Sequence, residues 1–149
     1  MVGRALRVFR IGAWAWVVTG VGHLAIAAAL ALRPREPAAA RALAAMREYG
    51  MEIAGVRRSL LDLDRGMSLV MAAALIFGGL VCLLVARSAP DLVTRSRSLS
   101  GLCLAASLVV LGLSLWLLPA PPVALFTVAG VAFGWALATA RPEVSAQPA

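Results

Sequence analysis

The fold class this sequence predicts is all-α: an integral membrane protein built as an antiparallel bundle of four transmembrane helices. Three observations carry it. Hydrophobic residues make up 62% of the 149 positions, against about 45–50% in soluble domains, and the mean hydropathy is +0.90. The apolar residues gather into four runs without Asp, Glu, Lys or Arg, namely Ile11 to Leu32, Gly66 to Ala86, Leu99 to Leu118 and Val123 to Ala140. Each run has about 18–22 residues, enough to cross roughly 30 Å of hydrocarbon at 1.5 Å per residue. Finally, none alternates apolar with polar over about ten residues as a barrel strand would, and lipid admits few other ways to satisfy the backbone. A chain this short cannot hide such an apolar excess in one core, so one membrane domain is expected over 1–149.

The first run, 11–32, follows Arg4, Arg7 and Arg10. It is longer than the roughly 7–15 apolar residues of a signal peptide, which favours a retained span. The segment 33–65 after it carries "PREP", which breaks the helix, and then "AAARALAAMREYGMEIAGVRRSLLDLD". That stretch reads as helical, interrupted near Gly50 or Gly55, with a short helix lying at the membrane interface. A run at 66–86 gives the second span. "RSAPDLVTRSRS" joins it to the third, at 99–118. "PAPP", Pro119 to Pro122, makes a tight uncharged hairpin into the fourth, at 123–140, because proline ends one helix and starts the next. A tail, 141–149, follows.

The net charge is +7, and all 14 basic residues are arginine. They sit at the edges of the apolar runs, the headgroup and positive-inside pattern. Nucleic-acid binding, which shows as a dense basic patch or a known module, is excluded on that ground. The arginine and alanine usage points to a GC-rich bacterial genome, and the expected location is the inner (plasma) membrane. Arginine counts on the two faces tie. The weight of the first helix then places both termini in the cytoplasm.

His23, the one histidine, falls about twelve residues, or roughly 18 Å, into the first span. An ionisable group at that depth is costly and should face the bundle interior. The partners expected for it are Thr19, one turn earlier, or the serines of the third span. There Ser100, Cys103, Ser107 and Ser114 recur on one face, as small polar residues at membrane helix contacts do. The candidate intramembrane polar site is thus His23, Thr19 and Ser107. A second constellation, "GVRRSLLDLDRGMS", places Arg58 and Asp62 four apart with Arg65 in reach. It reads as a salt-bridged helix entry, or as a polar mouth of Arg58, Asp62 and Arg65 separated from His23 by a gap on the order of 20 Å. In the fourth span Gly130, Gly134 and Ala138 form a small-residue ridge for close helix packing.

"GHL" in the first span, the long loop, "RSLLDLDRGMS" at the second span and the proline hairpin before the fourth together resemble a family of small four-span bacterial membrane proteins with no assigned activity. The architecture is similar, more distantly, to DoxX-like four-span proteins. Both resemblances imply fold rather than function.

Three function classes follow. The leading one is a non-enzymatic protein that binds a lipid, a small ligand or a membrane partner, with the bilayer and a homo-oligomer or membrane protein as partners. The second is a redox or quinone-associated protein. It would use His23 and the cysteines Cys82 and Cys103, which lie at similar depth although no CxxC spacing occurs; buried free cysteine usually behaves as a small apolar residue. The third is a small oligomeric transporter resting on His23. No catalytic constellation is visible, one histidine cannot complete a zinc site, and no cofactor or metal is expected.

Overall fold

A computed structural model describes residues 2–140. The predicted tail, 141–149, and with it Arg141, lies outside the described residues. Four helices are long and apolar enough to cross a membrane, so the chain is a multi-pass α-helical membrane protein. They are α1 (Val2–Leu32), α3 (Leu60–Ser88), α5 (Ser98–Leu117) and α6 (Ala120–Thr139), with α2 (Pro37–Glu48) and the single turn α4 (Asp91–Thr94) between them. Two short strands, β1 (Gly50–Ile53) and β2 (Val56–Ser59), complete the fold.

Several boundaries differ from expectation. α1 begins nine residues before Ile11, because the arginine-bearing turn is itself helical. α3 begins at Leu60 rather than Gly66, where Ser59 caps it: the Asp62 N–H donates to Ser59 Oγ at 3.1 Å, and that hydroxyl donates to the Asp62 carboxylate at 2.7 Å. This satisfies a backbone donor that the helix start leaves free. α6 begins at Ala120 rather than Val123, since proline lacks only an N–H that the first turn does not use.

The segment 49–59 is a correction. It was expected to be interrupted helix and is instead a two-residue β-hairpin, with Met51 opposite Arg58 and Glu52 opposite Arg57. Its turn residues both have positive φ, Ala54 at 53° and Gly55 at 78°, the pattern whose twist matches paired strands. Leu60 N–H donates to Tyr49 O at 2.9 Å and closes the hairpin.

The chain divides into two compact units. Among the described residues the first, 2–19 with 75–140, is a helical bundle of the leading part of α1, the trailing part of α3, and α4, α5 and α6. Its core gathers Phe9, Ala13, Cys82, Ala86, Val93, Cys103, Ala129, Phe133 and Ala136. Phe133 receives Phe9 and Trp16 edge-on, with ring centroids 5.1 and 5.5 Å away, the geometry that ring quadrupoles favour. Small residues bring the helices close. A Cβ on Gly79 would lie 2.7 Å from the backbone oxygen of Ala13, so α1 and α3 cross there nearly backbone to backbone. The second unit, 20–74, holds the end of α1, α2, the hairpin and the start of α3.

Candidate functional site

In the second unit, antiparallel helices bring His23 to Ser68. His23 lies nine residues before the end of α1 and Ser68 eight residues after the start of α3, depths of about 13.5 and 12 Å at 1.5 Å per residue. The imidazole Nε2 and Ser68 Oγ are 2.5 Å apart in a half-buried setting, and the tautomer decides which of them donates. This partner differs from those the sequence suggested, for a local reason in each case. Thr19 is buried and donates to Ala15 O at 2.7 Å. Ser107 donates to Cys103 O at 2.8 Å and accepts the Trp16 indole N–H at 3.0 Å. Both hydroxyls are occupied within the first unit. The six extra residues at the start of α3 draw Ser68 two turns into the helix, where it meets the histidine.

The same shift shortens the path from His23 to the polar mouth. Asp62 is six residues from Ser68 on α3, about 9 Å along the axis, in place of a gap on the order of 20 Å. The mouth itself is arranged differently from the expected helical pair. Arg58 lies in β2, opposite Met51, so it shares no helix face with Asp62 four residues on. Among the described residues the ion pair within 4.0 Å is Asp91 with Arg95, at 3.3 Å; the close partner of Asp62 is Ser59.

Arg65 instead faces a cleft. α2 turns Ala40, Leu43, Ala44 and Arg47, an i, i+3, i+4, i+7 face, toward Leu61 and Arg65 on α3, and Arg35 closes the rim. Leu61 is 4% exposed and forms the floor. The cleft measures about 120 Å³ and is lined by three arginines and no carboxylate. Sequence reasoning passed over Arg35 and Arg47. The signal was their twelve-residue separation across a proline-broken helix start, which says nothing until α2 folds back.

In the first unit the four buried residues of α5 are Ser100, Cys103, Ser107 and Ser114. The Ser100 and Ser114 hydroxyls have no hydrogen-bond partner. Cys103 Sγ lies 3.5 Å from Cys82 Sγ on α3, and both thiols are free and buried. On α6, Gly130 and Gly134 lie under Leu108 and Leu104, each with 3.8 Å to the nearest leucine carbon for an added Cβ, while Ala138 is exposed. The more deeply buried face of α6 is Phe126, Ala129, Phe133 and Ala136. Among the described residues no group of three or more His, Cys, Asp or Glu is placed to hold a metal ion.

No family model matches this sequence, and no curated protein or solved structure is similar to it.

Proposed function

We propose that this is a non-enzymatic, multi-pass protein of a bacterial plasma membrane that binds the phosphate group of an anionic lipid. The observation that carries the reading is the cleft of Arg35, Arg47 and Arg65. Three arginines line one space without a carboxylate in its lining. A cluster of positive charge favours an anion, Asp62 acting on Arg65 from outside the lining, and arginine's planar fork suits phosphate oxygens in particular. The cleft, about 120 Å³, is several times the space that one water needs, room enough for a phosphate group. Leu43 and Leu61 beside the arginines supply apolar surface for the start of an acyl chain. Arg65 stands one residue before the apolar run of α3, so the cleft lies where headgroups lie. Both termini face the cytoplasm in this reading, which sets the cleft in the outer leaflet.

Lipid exchange tests it. The protein in nanodiscs of phosphatidylcholine should gain thermal stability as phosphatidylglycerol is added. Saturating such a site about a hundredfold over its dissociation constant is worth about 2.7 kcal/mol. The Arg35→Gln, Arg47→Gln, Arg65→Gln triple variant should lose that gain, whereas Arg4→Gln with Arg7→Gln should keep it. Inorganic phosphate added to the phosphatidylcholine discs separates a headgroup from a free anion: stabilisation by phosphate alone would make the ligand a soluble one. An unchanged gain in the triple variant refutes the site.

A further inference from the structure

We infer that Cys82 and Cys103 form a thiol–disulfide redox site inside the helical bundle, oxidised by a quinone-class two-electron acceptor dissolved in the bilayer. The inference is independent of the lipid-binding reading, since both cysteines belong to the unit that lacks the arginine cleft.

Geometry comes first. The chain has two cysteines. They lie on different membrane helices, 21 residues apart in sequence, and their sulfurs are 3.5 Å from each other. A disulfide requires about 2.05 Å, so the sulfurs must close by about 1.5 Å, within the reach of side-chain rotation. The pair is also held. Ser107 donates to the backbone carbonyl of Cys103, and the Trp16 indole N–H is bonded to that same serine hydroxyl. Arg10 on α1 donates to Ala86 O, one turn beyond Cys82. These bonds fix the two helices on either side of the thiols.

The surroundings then select the oxidant. Cys82 and Cys103 are 5% and 4% exposed, and they share an apolar cluster with Phe9, Ala86, Val93 and Phe133. Cys82 is six residues from the Ser88 end of α3, and Cys103 five residues from the Ser98 start of α5. At 1.5 Å per residue they sit about 9 and 7.5 Å inside the helices. A charged, water-borne disulfide such as glutathione would have to shed its hydration to reach them. Val81 and Leu102, next to each cysteine in sequence, are by contrast open on the outer face of the bundle, at 41% and 70% exposure. A lipid-soluble quinone ring can approach along that flank.

The step balances without another reagent. Two S–H bonds break and one S–S bond forms. The two electrons and two protons pass to the two carbonyl oxygens of the quinone, which leaves as the quinol. The oxidised form cross-links α3 to α5.

The experiment uses the full chain, reduced and then freed of reductant, in phosphatidylcholine nanodiscs under anaerobic conditions with a short-chain ubiquinone. The expected result is one quinol per chain, loss of two hydrogens in the intact mass, and a dithiothreitol-sensitive link between the peptides carrying Cys82 and Cys103. Oxidation should run at least about tenfold faster than with oxidised glutathione at equal concentration, because access as well as thiol reactivity sets the exchange rate. Cys82→Ala and Cys103→Ala should each abolish quinol formation. Should either variant fold poorly, native protein alkylated beforehand with N-ethylmaleimide provides the same comparison. A link that forms with copper–phenanthroline but not with quinone would show that the pair is only packed together and overturn the inference. A glutathione adduct on one cysteine without a link would overturn it as well.

Discussion

Gly79→Ala adds one methyl group where α1 and α3 have no room for it. The new Cβ would stand 2.6 Å from Val17 Cγ2, 2.7 Å from the Ala13 carbonyl oxygen and 3.2 Å from Val17 N. Two of those atoms are backbone, so side-chain rotation cannot relieve them. Reaching an ordinary contact of about 3.4 Å requires α1 to retreat by about 0.7 Å at this crossing. The retreat loosens the neighbouring contacts that stack Phe9 and Trp16 on Phe133, because dispersion falls steeply with distance. Overpacking by a methyl group costs about 1–3 kcal/mol. Against this, alanine is the better helix former by about 0.8–1.0 kcal/mol. Gly112→Ala separates the two effects, since a Cβ there meets nothing within 4 Å and only the helix gain remains. The two variants should therefore differ by the steric cost alone, about 1–3 kcal/mol. At about 2–4 °C per kcal/mol for a chain near this size, that is roughly 2–12 °C in the thermal midpoint. The assay is a thermal melt of detergent-purified protein, followed by the accessibility of the buried thiols. If Gly79→Ala melts with Gly112→Ala, the close crossing of α1 and α3 is wrong.

His23 and Ser68 should couple in a double-mutant cycle of His23→Leu and Ser68→Ala by about 0.5–1.5 kcal/mol, measured by denaturation in mixed micelles; zero coupling would refute their hydrogen bond. His23→Arg should be much worse than His23→Leu, because it fixes a permanent charge at the same depth. At the start of α3, Ser59→Ala should cost about 1 kcal/mol through the lost cap, whereas Arg58→Gln and Asp62→Asn should combine additively; a large coupling between that pair would show a salt bridge instead of the cap. Topology is read by single cysteines at positions 38 and 92 in a variant without Cys82 and Cys103. They should label from opposite faces of the membrane, and labelling from one face would overturn the four-span arrangement.

The four spans were legible because lipid imposes a one-dimensional code. A run of some twenty uncharged residues has few structures open to it other than a helix. The buried face of α5 was legible too, since Ser100, Cys103, Ser107 and Ser114 follow the helical period. The hairpin at 50–59 was not. Its turn is Ala54–Gly55, without the Asn-Gly or Asp-Gly signature of such turns, and Arg57 and Arg58 occupy strand positions with no alternating pattern. A two-stranded hairpin is marginal alone, so its formation depends on the helices that flank it.

The sequence by itself thus determined which segments enter the membrane and, for α5, which residues turn inward, because those follow from hydropathy and helical period; on α6 the buried face is Phe126, Ala129, Phe133 and Ala136, and Ala138 of the expected small-residue ridge is exposed. Tertiary structure decided the pairings. The early start of α3, set by the Ser59 cap, brought Ser68 to His23 where Thr19 or Ser107 had been expected. The packing of α3 against α5 brought Cys82 to Cys103, and the fold-back of α2 brought Arg35 and Arg47 to Arg65. Each of these is a contact between elements separated by 18 or more residues, or by a proline-broken turn. Depth and register there depend on helix ends and on close glycine crossings such as Gly79, and neither leaves a period in the sequence.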